Sequence, residues 1–213
     1  MEAVVSILSR CFVVFCCLPI HELAHGLIAN KLGDNTAKLQ GRLTLNPFKH
    51  LDPFGTIMIF LFGIGYANPV PVNANNFKKP KTGMALTALA GPCANIVLSF
   101  LSVTVYIGIV SFSDSSGGLL TAVCQFFYFS AMINAVLAVF NLIPIPSLDG
   151  SKILAAVLPH KTYVKYMQYE RYFMIVLLIV LFTGVLDNVI YKLAVLLLRV
   201  IAVIPTVIFG VIS

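Results

Sequence analysis

The chain has 213 residues, of which 59% are hydrophobic and 10% are charged. A soluble domain carries roughly 25% charged residues, and a soluble fold of this length would leave too much apolar surface in water, so lipid must be the solvent for most of the chain. The net charge of +6 suits a membrane protein with a cytosolic face. No basic run alternates with aromatic residues, which argues against nucleic acid as a partner.

Continuous apolar runs predict the transmembrane helices, because about 20 residues are needed to cross the hydrocarbon core. The first run resembles a signal peptide, but no small-residue cleavage site ends it, so we expect a retained span. The sequence therefore predicts an all-α membrane protein, a polytopic helix bundle of about five spans. These lie near residues 3–30, 84–112, 119–143, 168–187 and 190–212.

A shorter apolar run, residues 54–66, is too short to cross and contains three glycines. We expect a short re-entrant or β-hairpin element near 54–76. If it does not cross, the positive-inside rule places the lysine- and arginine-rich loops in the cytoplasm and the cation-free 113–118 loop outside. The N-terminus is then also outside.

The segment 68–76 is rich in turn-forming residues, and Pro69 and Pro71 forbid a regular helix there. Two interpretations remain open. The segment offers a strand edge that pairs with an unwound peptide, or it is a plain loop.

The strongest local pattern is His21-Glu22-Leu23-Ala24-His25. Residues four apart share one face of a helix, so both imidazoles can reach one metal ion. Glu22, next to a ligand, is placed to act as general base for a metal-activated water. A charged side chain at the centre of a transmembrane helix raises the free energy of insertion by about 2.5–3.5 kcal/mol. Such residues therefore usually have a binding partner or a functional role.

A catalytic zinc site needs three protein ligands and one open position. Asp149 is a candidate for the third ligand, because it follows the span that ends at Pro144 and Pro146 and the predicted topology puts it on the same side as His25. A helix N-cap is the alternative role for Asp149. His50 and Asp52 form another possible pair, but their proline-bounded loop favours a structural hydrogen bond.

These motifs together resemble the site-2 protease family of intramembrane zinc metalloproteases, in the compact prokaryotic branch without PDZ or CBS domains. The HELAHG sequence at 21–26 pairs with a distant Asp-Gly in NLIPIPSLDG at 141–150. The segments at 46–55, 69–73 and 91–95 strengthen the resemblance, which covers residues 21–150.

The resemblance implies that His21, His25 and Asp149 bind zinc and that Glu22 is the catalytic base. It also places Asn95 and Asn141 near the metal, where their amides would bind substrate or the oxyanion. A hydrogen bond between helices is the alternative for both asparagines.

For the whole chain, the resemblance implies one integral membrane protease domain over residues 1–213, with a catalytic core at about 1–160 and C-terminal helices at about 166–213. The expected substrates are membrane-spanning proteins, cleaved in or near their transmembrane segments, such as anchored regulators or leftover signal peptides. The expected location is the cell membrane, as a multi-pass protein in the lipid bilayer, with the active site towards the cytoplasm.

Two other classes of function also use histidines and acids in a membrane. A metal transporter should carry acids along a path on both sides of the midplane, whereas the polar residues here cluster at one face. A metal-binding scaffold with a structural zinc would have no use for Glu22 beside a ligand.

Overall fold

The computed structural model describes residues 2–53, 55, 57, 67–112 and 117–210. The first part of the chain is one long helix in three sections: α1 (Glu2–Phe12), a π-helical section (Val13–Cys17) and α2 (Leu18–Lys31). The remaining helices are α3 (Thr36–Leu39), α4 (Pro80–Phe112), α5 (Gly118–Asn141), α6 (Asp149–Val157), α7 (His160–Gln168), α8 (Glu170–Phe182) and α9 (Asp187–Ile208).

The predicted all-α, polytopic architecture is confirmed. Within the described residues, four helices are long and apolar enough to cross a membrane: Val4–Lys31, α4, α5 and α9. The structure does not form the full transmembrane helix that was expected near 168–187, because α8 has only 13 residues. At 1.5 Å per residue that helix is about 20 Å long, less than the roughly 30 Å of the hydrocarbon core.

The element expected near 54–76 lies mostly outside the described residues. Its described part begins with an antiparallel bridge between Leu51 and Ala67. Residues 68–73 follow without regular helix or strand, Pro69 and Pro71 favour extended backbone there, and the stretch ends in a 3₁₀ turn at Ala74–Asn76. The described residues contain this isolated bridge but no strand.

Helix α4 lies at the centre of the bundle and packs against α2, α5, α6 and α9. Small side chains let α4 and α5 approach closely, as is usual in membrane bundles. The Ser99 hydroxyl donates to the Ala131 carbonyl at 2.8 Å. The core between α4, α5 and α9 comprises Val103, Ile107, Ala131, Ala135, Ala194 and Leu198. Large apolar side chains cover the outer surfaces, as expected for helices that face lipid.

The π-helical section precedes the residues that carry the chemistry. The Leu18 N–H donates to the Val13 carbonyl, five residues back. Such wide turns are common next to functional sites. They also accommodate Pro19 at the start of α2, because proline has no N–H for the regular helical hydrogen bond. One face of α2 then buries His21, Glu22 and His25.

Asp34 joins the end of α2 to the segment before α4. Its side chain is 0% exposed and accepts hydrogen bonds from the Thr36 N–H and hydroxyl, the Asn73 N–H and the Asn76 amide, at 2.5–3.0 Å. Burial by itself raises the pKa of this carboxyl, but the hydrogen bonds outweigh it and lower the pKa below its usual value. The ionised carboxylate therefore fixes residues 73–76 against the end of α2.

We expect this link to stabilise the fold in a pH-dependent way. A lowered carboxyl pKa gives stability that is fully present above the unfolded value of about 3.9 and is lost as the pH falls through the folded value. Asp34→Asn should therefore be less stable than wild type by about 1 kcal/mol near neutral pH, and the gap should close as the pH falls below the unfolded value and through the lowered folded pKa. Thermal unfolding in detergent at several pH values measures it.

Asp187→Asn, which alters an exposed carboxyl at the start of α9, is the matched control. A gap between wild type and Asp34→Asn that stays constant across this pH range would contradict the role assigned to the ionised carboxylate.

Candidate metal centre

Three donor atoms from two helices, α2 and α6, meet beside α4. The His21 Nε2 and His25 Nε2 atoms, on α2, are 3.0 Å apart. The Asp149 Oδ2 atom, on α6, lies 3.3 Å from His21 Nε2 and 3.1 Å from His25 Nε2. All three residues are buried.

This triangle has the size that a tetrahedral zinc site requires. Bonds of about 2.0–2.1 Å at tetrahedral angles separate the ligand atoms by about 3.3–3.4 Å. The observed sides of 3.0, 3.1 and 3.3 Å are close to that spacing. Two nitrogens and one carboxylate oxygen of this kind are also the donor types of a catalytic zinc site. The residues present therefore fit the metal.

The tautomer of His25 leaves the correct nitrogen free. The His25 Nδ1 atom is 2.7 Å from the Thr87 carbonyl oxygen of α4. A carbonyl oxygen only accepts, so Nδ1 carries the hydrogen and Nε2 keeps its lone pair for a metal. A carbonyl that orients the ring through its other nitrogen is the usual arrangement around metal-binding histidines.

Gly91 on α4 makes room for the two imidazoles. A Cβ atom at this position would come far inside van der Waals contact with the rings of both His21 and His25. The glycine therefore allows α4 to lie directly against the histidine face of α2.

The two carboxylate oxygens of Asp149 face different partners. Oδ2 faces the histidines, and Oδ1 lies 3.4 Å from the Lys152 ammonium. The helix begins at Asp149 with Leu148 as its N-cap residue and without a side-chain cap, so Asp149 does not serve as the N-cap. Gly150 fits directly over the Leu142 and Ile143 carbonyls, where a Cβ atom would clash with both.

Glu22 lies beside this cluster on α2. One ligand atom from each of His21, Glu22 and His25 lies within 4.8 Å of the other two. The Glu22 Oε2 atom accepts a hydrogen bond of 2.9 Å from the Val70 N–H. This contact orients the carboxylate, and no sequence pattern had indicated it, because it uses a backbone group.

The two asparagines differ in their surroundings. Asn95 is 0% exposed, lies one turn beyond Gly91 on α4, and neither of its amide atoms has a hydrogen-bond partner in the described part of the chain. The Asn141 amide donates to the Leu137 carbonyl of its own helix at 3.0 Å. His50 is buried and donates from Nε2 to the Thr44 carbonyl at 2.8 Å, the structural hydrogen bond favoured for it.

Comparison with known proteins gives related sequences. The model of peptidase family M50 matches residues 107–186, which include Asp149 but not the 21–25 motif. The YwhC protein of Bacillus subtilis, named provisionally as a zinc metalloprotease, is 44% identical over 165 residues, 77% of this chain and 75% of its own. The Rip2 protein of Mycolicibacterium smegmatis, named in the same way, is 28% identical over 182 residues, 83% of this chain and 67% of its own.

The Rip2 protein of Mycobacterium tuberculosis is 32% identical over 148 residues, 67% of this chain and 53% of its own. No solved structure matches significantly. The likeness to YwhC extends over three quarters of that protein, and the family model covers the Asp149 region. The chain therefore belongs to peptidase family M50, the site-2 protease family that its motifs predicted.

Proposed function

We propose that the protein is an intramembrane zinc metalloprotease that hydrolyses peptide bonds in or near the transmembrane segments of membrane-anchored proteins. His21, His25 and Asp149 hold the zinc, and Glu22 is the general base. The observation that carries this proposal is the buried triangle of donor atoms, with sides of 3.0–3.3 Å, beside the Glu22 carboxylate. Three electron-rich atoms at this spacing need a cation between them.

The residues then act as follows. Bound zinc supplies Lewis acidity, which acidifies a water molecule and polarises a carbonyl group. Glu22 accepts the proton that this water loses and passes it to the leaving nitrogen. The Thr87 carbonyl fixes the ring of His25, and Lys152 holds the second oxygen of Asp149, so that one carboxylate oxygen faces the metal.

Asn95 and Asn141 are proposed to bind the substrate or its developing oxyanion. The support is stronger for Asn95, because it is buried on the Gly91 face of α4 and its donor and acceptor atoms have no partner among the residues that the structure describes. A hydrogen bond from such a donor to a developing oxyanion commonly contributes 10²–10³-fold to the rate, about 3–4 kcal/mol. The Asn141 amide is used within its helix, but a primary amide has a second N–H that it can donate.

The extended stretch before α4 is proposed to receive an unwound substrate. In extended backbone, alternate residues direct their N–H and C=O groups to opposite edges. The Asn73 N–H is bonded to Asp34, Arg42 donates to the Asn68 and Pro69 carbonyls, and the Val70 N–H faces Glu22. Val72 shares the edge of Val70, so its backbone groups would lie along the path of a paired peptide.

The site is proposed to open to the cytoplasm. Lys31, at the end of α2, and Lys78 and Lys79, before α4, line one cavity of about 330 Å³. The Lys81 ammonium donates to the Leu158 carbonyl, which joins the start of α4 to the end of α6. Cationic residues thus cluster near the end of α2, the start of α4 and the end of α6. The positive-inside rule assigns this side of the bundle to the cytoplasm.

The proposed domain organisation is a single protease domain over residues 1–213. Residues up to about 160 form its catalytic core, since they contain every group named at the metal centre. The helices from about 166 onwards flank the core, and in that part α9 packs against α4 and α5.

Cleavage by purified protein in detergent tests the proposal. We expect wild type to cleave members of a panel of tagged single-span proteins. Glu22→Gln should cleave them at least 10²-fold more slowly with its zinc content unchanged, because the amide cannot accept the proton. The measurements are the cleavage rate and metal analysis of the same samples.

Equal cleavage by wild type and Glu22→Gln would contradict the role of Glu22. A zinc content of zero in well-folded wild type, after purification with zinc supplied, would contradict the metal centre. One zinc in wild type with no cleavage of any member would favour a metal-binding scaffold.

A second prediction concerns the helix contact at Gly91. Gly91→Ala should weaken zinc affinity by about 10–100-fold, because the added methyl group displaces both imidazoles. Competition with a fluorescent zinc chelator measures the affinity. Gly108→Ala, in the same helix, is the matched control, because the atoms nearest to its added methyl group belong to the Phe209 ring, at 3.2 Å or more. The prediction fails if the two variants bind zinc equally tightly.

A further inference from the structure

Side chains from distant parts of the chain hold the segment from Asn68 to Asn73. Arg42 donates from Nη2 to the Asn68 carbonyl at 2.7 Å and to the Pro69 carbonyl at 3.1 Å. The Asn73 N–H donates to Asp34 Oδ2 at 2.7 Å, and the Val70 N–H donates to Glu22 Oε2 at 2.9 Å. The backbone from Val70 to Asn73 therefore connects the Glu22 carboxylate to the Asp34 carboxylate.

The register of this segment is decisive for Glu22. Val70 stands between Pro69 and Pro71, neither of which has an N–H to donate. A shift by one residue would place a proline opposite Glu22 and turn the valine side chains to the other face. The Glu22 carboxylate thus has a partner in this stretch only when the register is correct.

Asp34 has the contacts that fix this register. Its two oxygens bind different donors. Oδ1 accepts from Thr36 and from the Asn76 amide, whereas Oδ2 accepts from the Asn73 N–H. All of these partners are donors, so a carboxylate satisfies them and a neutral amide, which must present its own N–H groups, does not. Asp34 is fully buried, so a lost acceptor there is not replaced by bulk water.

We propose that Asp34 is a positioning residue for Glu22. It acts through Asn73 and Val70, and it keeps the Val70 N–H against the Glu22 carboxylate so that the carboxylate stays directed towards the metal centre. The inference rests on the proposed function, because it assumes that Glu22 is the general base.

A double-mutant cycle tests the proposal in purified, zinc-loaded protein. Val70→Pro removes the donor to Glu22 and keeps an extended backbone, and Asp34→Asn disturbs the register from the other end. Each single variant should lower kcat by about 10-fold or more, a larger effect than any change in KM, with bound zinc unchanged. The double variant should be no slower than the slower single variant, because both changes break the same contact. Asp187→Asn, exposed on α9, is the control for loss of a carboxylate charge.

The outcomes separate the two levels of inference. If wild type does not cleave, the proposed function fails first. If wild type cleaves and Glu22→Gln does not, the role of Asp34 can be judged. It is overturned if Asp34→Asn is as active as Asp187→Asn, or if Val70→Pro is as active as wild type. It is also overturned if the losses of the two single variants multiply in the double variant. If Asp34→Asn does not fold, Asn76→Ala replaces it in the cycle, since it removes one exposed donor to Asp34 and leaves the other three.

Discussion

The structure depends on one contact, the meeting of Asp149 with His21 and His25 between α2 and α6. Asp149 lies more than 120 residues from both histidines in the chain, and all three side chains are buried. Polar and ionisable groups in a membrane protein are costly unless they are paired or bound to a cation. The helices around them are arranged to meet this demand, since α4 contributes the bare backbone at Gly91, the Thr87 carbonyl and the close packing that brings α2 and α6 together.

Much of this arrangement follows from the sequence because it rests on local periodicity. The four-residue spacing of His21 and His25 places them on one helix face, and the alternation of apolar runs and charged loops predicts the bundle. The predicted topology put Asp149 on the same side as His25, and the structure brings the Asp149 carboxylate within 3.3 Å of both rings. The roles of these residues in binding zinc stay predictions that the metal analysis above tests.

Other features depend on contacts that leave no periodic signal. Hydropathy gives a full span near 168–187, but backbone geometry ends α8 at Phe182 and a turn with Gly184 at positive φ follows. The Val70 contact with Glu22 uses a backbone N–H, so the side-chain pattern is silent about it. Asp34 similarly looks like an ordinary loop acid after Gly33, and its importance appears only when residues 73–76 are folded against it.

Asn95 and Asn141 show how hydrogen-bond satisfaction distinguishes two residues that the motifs treat alike. An unsatisfied buried polar group destabilises a fold by about 1–3 kcal/mol, so its retention needs a reason. The Asn141 amide already has a partner in Leu137 of its own helix, whereas both amide atoms of Asn95 lack one in the described chain, at 0% exposure and on the same face as Gly91. Among the described residues no hydrogen bond between helices satisfies Asn95. This supports the proposal that Asn95, rather than Asn141, contacts the peptide that is cut.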